Sequence, residues 1–379
     1  MSYIHSIATG LPEHKYSREE IAFWMGQVMP DDVASRKLNF ILNETLIQQK
    51  YSYLPDFSAD CEMPLLYDRK RFSNPTTHKR MEVFEQASVD LGVDVAERCL
   101  DQSLYEKEEI THIITVTCTG LSAPGLEILI PEKLGLSKNI QRHTVNFMGC
   151  YASFRALKLA HTICKADVNS KVLIVSVELC TLHFRNDDGN DNLLSTALFS
   201  DGAAAVVVSN HPANNFELKL NSFLSSLLPE GKDDMSWNIG NHGFEMVLNA
   251  NVPNHILNEI GSAYHELVGD SACDFYAIHP GGKRILQAFT NGIGIEEEKL
   301  KESYEVLKEF GNMSSPTVLF VLEKVIQQAV ASKKRDATVY SAAFGPGLTI
   351  EGALMHLAIN EKQEDTQPAT ALETATAHA

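Results

Sequence analysis

The chain has 379 residues, 44% hydrophobic and 21% charged, an ordinary globular composition long enough for two or three domains or two tightly packed halves. Its 32 Lys+Arg against 49 Asp+Glu give a formal charge of −17. That excludes affinity for nucleic acid or anionic membrane driven by neutralised phosphates, while one anionic ligand can still meet a local basic patch. The seven cysteines (Cys61, Cys99, Cys118, Cys150, Cys164, Cys180 and Cys273) are odd in number and irregularly spaced, with no CxxC. A disulfide framework and a zinc ribbon are therefore unsupported. No basic segment followed by a long apolar run opens the chain, and no uncharged apolar run reaches about 18 residues. The expectation is a cytoplasmic protein with reduced thiols, no membrane span and no nucleic-acid partner. In that setting a single cysteine can be a nucleophile.

In chain order, THIITVTC at 111–118 reads as a buried strand. HTVNFM at 143–148 reads as a second strand, stopped by Gly149, and a helical pattern runs from Cys150 to about Cys164 with Ala156, Leu157, Leu159 and Ala160 on one face. Strands follow at 171–179 and 203–209. This β-α-β order, with strands apolar on both sides, indicates an α/β sheet covered on both faces. The C-terminal half repeats the grammar. A helix is expected over 253–267 with Pro at its start, and strand 274–278 leads into His279-Pro280-Gly281-Gly282. Helices follow around 300–310, ending at Gly311, and from about Ser314 to Ser332. Strands 337–343 and 348–358 flank Phe344-Gly345-Pro346-Gly347. The expected organisation is two related halves, 1–212 and 213–360, and a disordered tail over 361–379, which has no aromatic residue and is rich in Ala, Thr and Glu.

No Walker A, HExxH, EF-hand, GxGxxG or GxSxG string occurs, and the 14 histidines show no metal-ligand spacing, so neither a metal nor a bound cofactor is expected. Three residues at junctions between regular elements carry chemistry. Cys150 follows Gly149 where a strand becomes a helix, and unpaired N–H groups with the positive end of the dipole favour thiolate there. The competing reading is a buried structural thiol. His279 is delivered to a turn by an apolar strand, although a lone His is usually a satisfied polar residue. Asn312 lies between Gly311 and a helix, where Asn is usually a cap. Taken together, Cys, His and Asn are coherent: His accepts the thiol proton, and Asn offers a donor that stays neutral at every pH. Papain-like proteases use the same three types in the same order. They carry C-G-[SA]-C-[WY] near the mature N-terminus, which this chain lacks.

Five strings in order then resemble the chalcone-synthase-like, or type III, polyketide synthases of the thiolase fold: GCYASFRALKLA, TALFSDGAAAVVV, AIHPGGKRIL, EFGNMSSPTVLFVLE and AAFGPGLTIE, with Ala343 where the family usually has Gly. The match spans about residues 75–358. The resemblance implies an α/β thiolase-like fold, two related βαβαβ halves in a five-layer αβαβα arrangement. It implies an acyltransferase in which Cys150, paired as thiolate with His279, takes a starter acyl group from a thioester. His279 and Asn312 would hold a malonyl thioester during decarboxylation, and the enolate would attack the acyl-Cys150 in a Claisen condensation.

Phe199 would separate the acyl pocket from the thioester tunnel. Cys118, Cys180, His183, Ser195, Trp237, Phe244, Met246 and Ser314 would line the pocket, with Trp237 narrowing it where the plant enzymes have a small residue. Gly345 and Gly347 would let the backbone approach the intermediate, and Pro346 would fix the turn. The resemblance also implies a homodimer, with Ala123 and Pro124 reaching the partner's cavity. Acyl-CoA and malonyl-CoA would be substrates. At the basic cluster that meets CoA phosphates in the plant enzymes, this chain keeps Lys37 but has Phe40 and Glu44 at the other two positions. That points to Arg36, Lys50, Arg69 or Lys70 instead, or to an acyl carrier protein as donor. The alternative implied by the same triad is a ketoacyl-ACP synthase III-like enzyme making one condensation.

Overall fold

A computed structural model describes residues 1–213 and 216–359; the expected tail 361–379 lies outside the described residues. The strands are β1 (Tyr3–Gly10), β2 (His14–Ser17), β3 (Gln49–Ser52), β4 (His112–Thr117), β5 (Gln141–Asn146), β6 (Lys171–Leu179), β7 (Asp201–Ser209), β8 (Phe216–Leu227), β9 (Met235–Gly240), β10 (Gly243–Leu248), β11 (Phe275–Ile278), β12 (Asp336–Gly345) and β13 (Thr349–Ile359). The helices are α1 (Arg18–Val28), α2 (Asp32–Glu44), α3 (Thr77–Asp101), α4 (Leu126–Leu134), α5 (Ala152–Ala166), α6 (Asn190–Leu198), α7 (Val252–Val268), α8 (Lys283–Ile293), α9 (Lys301–Phe310) and α10 (Thr317–Ala331).

Nine strands form one mixed sheet in the order β11-β12-β13-β8-β1-β7-β6-β4-β5. The two halves join where β1 pairs antiparallel with β8 through Tyr3↔Lys219 and Ile4↔Leu218. This narrow seam lets the sheet fold around two central helices. Helix α5 packs against β4, β6 and β7 of one half and β13 of the other, while α10 packs against β1 and β7 as well as β11, β12 and β13. Helices α3 and α4 cover the outer face of the first half, and α7 covers β8 and β13 of the second. The layers are therefore αβαβα, the arrangement expected from the sequence. Strands β6 and β7 are buried almost throughout. Their runs of Val, Ile, Leu and Ala suit strands sandwiched between helix layers.

The strand expected at 143–148 lies at Gln141–Asn146. Phe147 takes φ 57, which ends the strand before Met148 and turns the chain toward Cys150. Cys150 sits in a single 3₁₀ turn, Gly149–Tyr151, and α5 begins only at Ala152. Likewise the helix expected from Ser314 begins at Thr317, because Ser314 takes φ 59 and Pro316 is the capping residue. The first hundred residues, for which the sequence reading assigns no elements, hold β1 to β3 and α1 to α3. Helix α1 starts with a capping box in which Ser17 Oγ accepts from Glu20 N at 3.2 Å and Glu20 accepts from Ser17 N at 2.7 Å.

Candidate active site

Three turns at the ends of strands and helices converge on one cavity, lined among others by Cys150, His279 and Asn312. The turn after β5 presents Cys150. Gly149 precedes it with φ +77, and a Cβ at Gly149 would stand 2.6 Å from Pro346 Cδ, so only glycine lets this turn lie against the 345–347 loop. Strand β11 pairs parallel with β12 up to Ile278↔Ala342, and the next residue, His279, donates its backbone N–H to Ala342 O at 2.8 Å. Asn312 is fixed from the opposite side. It forms a parallel bridge with Phe199, in which Asn312 N donates to Leu198 O at 3.0 Å and Ser200 N donates to Asn312 O at 2.9 Å.

The side chain of Asn312 is also oriented. Its Oδ1 accepts from Ser314 N at 2.8 Å, and both ends of the amide lie beside Cys150, whose Sγ is 3.9 Å from Oδ1 and 4.0 Å from Nδ2. His279 is 1% exposed, and neither ring nitrogen has a hydrogen-bond partner among the described residues. Burial lowers its imidazole to about 3. Burial pushes the Cys150 thiol up to about 12, with the Glu178 charge adding to the rise; Ser314, Asn312 and Cys150's own amide pull it back. A thiolate at a helix start is thus opposed by desolvation in this chamber. Burial thus acts against the thiolate–imidazolium pair that the resemblance implies, and no hydrogen bond joins the two side chains among the described residues. The physical reason is that separated charges lose water in a dry chamber before they gain each other.

The remaining pocket residues named from sequence, Phe199, Cys118, Cys180, His183, Ser195, Trp237, Phe244, Met246 and Ser314, all line this cavity, as does Pro346. Cys118 Sγ accepts from Gly149 N at 3.0 Å, and burial raises its thiol well above the usual range, which suits a wall residue. His183 has both nitrogens in use: Nε2 bonds Thr119 O at 2.7 Å and Nδ1 accepts from Phe244 N at 3.0 Å, so Nε2 carries the proton. Burial lowers it to about 3. Its ring stacks on Phe244 at 4.2 Å, and Trp237 stands edge-on to both at 5.5 and 5.7 Å. Trp237 Nε1 donates to Cys118 O at 2.7 Å, which locks the indole across that end of the cavity.

Gly345 and Gly347 differ from expectation, because neither lines the cavity. The space a Cβ would need at Gly345 is held by the Tyr151 ring at 2.7 Å, so close packing behind the wall explains that glycine. Lys50, one candidate for a CoA phosphate, is 4% exposed, and its ammonium donates to Thr196 O at 2.5 Å inside the wall, so it cannot meet a phosphate at the surface. Arg36, Lys37, Phe40, Glu44 and Lys70 are exposed. Arg69 stacks over Phe23 at 5.8 Å.

Sequence reasoning missed Glu178. This carboxylate is fully buried in β6, accepting from Cys118 N at 2.9 Å, Thr119 Oγ1 at 2.8 Å and Ser315 Oγ at 2.5 Å. It ties the Cys118 strand end to the turn that carries Asn312. A lone Glu in the otherwise apolar KVLIVSVEL was the available signal. The apolar wall made by Ile21, Met25, Phe57 and Phe184 was also unread.

Comparison with known proteins places the whole chain. Models of the chalcone and stilbene synthases match it, the N-terminal domain over residues 2–212 and the C-terminal domain over 219–358. The alpha-pyrone synthesis polyketide synthase-like Pks18 of Mycobacterium tuberculosis is 32% identical over 369 residues, covering 94% of this chain and 91% of the relative. Among solved structures, PKS-I from the brown alga Ectocarpus siliculosus superposes with a TM-score of 0.88 at 28% identity, covering 95% of this chain and 98% of that one. The C-terminal type III polyketide synthase domain of Steely1 from Dictyostelium gives 0.85 at 26% identity, covering 94% and 99%. The chain therefore belongs to the chalcone and stilbene synthase family and is a type III polyketide synthase, an acyltransferase that condenses an acyl thioester starter with malonyl thioester units.

Proposed function

We propose that Cys150 is the nucleophile, His279 its proton acceptor and Asn312 the second donor to the malonyl thioester, with acyl-CoA and malonyl-CoA as substrates. The observation that carries this is the convergence of the three groups on one cavity: the Asn312 amide lies beside Cys150 Sγ, with Nδ2 at 4.0 Å and Oδ1, which also accepts from Ser314 N, at 3.9 Å, and the imidazole of His279 is unpartnered among the described residues. The Cys150 proton passes to His279 as the thiolate adds to the starter carbonyl, and the leaving CoA thiolate takes that proton as the acyl-enzyme forms. In the malonyl thioester the bond to the carboxylate breaks, CO₂ leaves, and the electron pair moves to the thioester oxygen. A ring N–H of His279 and the Nδ2–H of Asn312 hold that oxygen. The enolate carbon then attacks the acyl carbonyl, and Cys150 departs as thiolate.

The cavity's apolar wall of Ile21, Met25, Phe57 and Phe184 suits a starter with an apolar body. The matched family favours CoA-dependent extension over a single condensation on a carrier protein. We further infer a homodimer formed along β5, the outer strand of the sheet, where Gln141, Arg142, Thr144 and Asn146 are exposed and the nearby loop 121–124 carries Ala123 and Pro124 at the surface. The seven free thiols suit a reducing cytoplasm. Intact-mass measurement with a panel of acyl-CoA and acyl-carrier donors should show one acyl adduct, on Cys150, from CoA donors with apolar chains, and a decarboxylated product after malonyl-CoA is added. Absence of any adduct on Cys150 would remove the central claim.

A further inference from the structure

The cavity wall contains a buried cation that the chemistry above does not use. Lys50 of β3 lines the chamber, and its ammonium donates to Thr196 O. Thr196 lies in the last turn of α6, where carbonyls lack helical partners and the dipole favours a cation. The same stretch of chain grips the residues just beyond α6. Tyr51 N donates to Ser200 Oγ at 2.8 Å, Ser200 Oγ donates to Tyr51 O at 3.1 Å, and Tyr53 N donates to Asp201 Oδ2 at 2.9 Å. Between the grips on Thr196 and Ser200 lie Ala197, Leu198 and Phe199, and the backbone of Leu198 and Ser200 brackets Asn312. The placement of the Asn312 amide therefore runs through the end of α6, and Lys50 holds that end from inside the chamber.

A buried ammonium is costly to desolvate, and no carboxylate lies within ion-pair distance of it among the described residues. An apolar side chain of similar length would fill the same space without that cost, so packing alone does not account for a lysine here. We propose that Lys50 is a positioning residue for the decarboxylation step: by capping the end of α6 it keeps Phe199 and the Asn312 amide in register with Cys150. This rests on the role of Asn312 given above.

Charge state offers an independent readout. Burial lowers the Lys50 ammonium to about 8, opposed by Asp201 and Cys180, the two ionisable groups that act on it. Other groups facing the chamber titrate elsewhere. Burial brings Asp201 to about 6, His279 and His183 to about 3 and Cys150 to about 12, and it raises Cys180, Cys118, Tyr16 and Tyr51 above their ordinary values. Raising the pH through about 8 thus removes the Lys50 charge and weakens its bond to Thr196 O, so decarboxylation falls on the alkaline side.

The test measures two half-reactions between about pH 6 and 10: CO₂ release from malonyl-CoA, and starter acylation of Cys150 by rapid-quench mass spectrometry. Wild-type, Lys50→Met, Lys50→Arg and Asn312→Ala enzymes are compared. In the wild type the ratio of decarboxylation to acylation should fall above about pH 8. Lys50→Met should lose about 10- to 100-fold in decarboxylation and lose that alkaline limb, with acylation changed less than about twofold. Lys50→Arg should recover most of the rate and shift the limb upward, since its charge persists. Equal losses in both half-reactions, or a Lys50→Met enzyme with wild-type decarboxylation, overturn the proposal. If Lys50→Met does not fold, the wild-type profiles decide alone, and a ratio that stays flat through pH 8 overturns it. Unchanged decarboxylation in Asn312→Ala would instead bring down the role assigned to Asn312.

Discussion

Asn312 illustrates how one side chain is made into a donor. An amide can present either end, and here Ser314 N bonds the oxygen while Cys150 Sγ lies 3.9 Å from that oxygen and 4.0 Å from Nδ2, which leaves the N–H₂ able to donate to a substrate oxygen. Asn312→Asp keeps the shape but replaces that donor with an acceptor, anionic if it ionises. We expect malonyl decarboxylation to fall about 10²- to 10³-fold, the scale of losing one oxyanion donor, with little change in melting temperature. A variant that decarboxylates at the wild-type rate would show that His279 alone suffices. The chemistry of Cys150 and His279 is set by the same dryness. Burial pushes the thiol up to about 12 and lowers the imidazole to about 3, so desolvation opposes charge on both groups. As candidates the residues were readable, each standing where an apolar run or helix gives way to a turn. Their protonation was not, because it depends on what surrounds them in space.

Among the elements, the turn Gly149–Tyr151 and the loop 345–347 act as a pair. Pro346 occupies the space beside Gly149, and the Tyr151 ring occupies the space beside Gly345. Gly149→Ala meets both a left-handed backbone and a neighbouring ring at 2.6 Å. We expect it to cost about 1–3 kcal/mol in denaturant unfolding and to slow Cys150 acylation, because the turn cannot hold its place. Unfolding at the wild-type midpoint together with full acylation would contradict this. The GPG string was legible as a rigid loop near the chemistry, but that Pro346 rather than either glycine lines the cavity, and that Gly345 makes room for a ring, was not. That depends on Tyr151, nearly two hundred residues earlier in the chain. Helix α1 was missed as well. Ser17-x-x-Glu20 signals its start, and Ile21, Trp24, Met25 and Val28 stand at i, i+3, i+4 and i+7, so the signal was present over 11 residues and went unread.

Across the molecule, the nine-stranded sheet ends at β5, an outer strand with polar exposed residues and the partly exposed Leu121 and Ile128 nearby. Pairing of this edge with a second copy would cover it. The double variant Leu121→Asp/Thr144→Glu sets like charges against each other across such a two-fold. By sedimentation it should shift a wild-type dimer to monomer, with the fold retained by circular dichroism. A wild type that sediments as a monomer at micromolar concentration would exclude this interface. The family and the layered fold could be read from the chain alone, and so could the choice of Cys150, His279 and Asn312 as candidates, because these rest on residue type and order. The folded molecule was needed to show that Glu178 lies under the site, that Lys50 is buried rather than a surface base, and that burial opposes charge on the thiol and the imidazole. Those properties come from desolvation and hydrogen bonds between segments far apart in the chain, and local pattern does not encode which segments will meet.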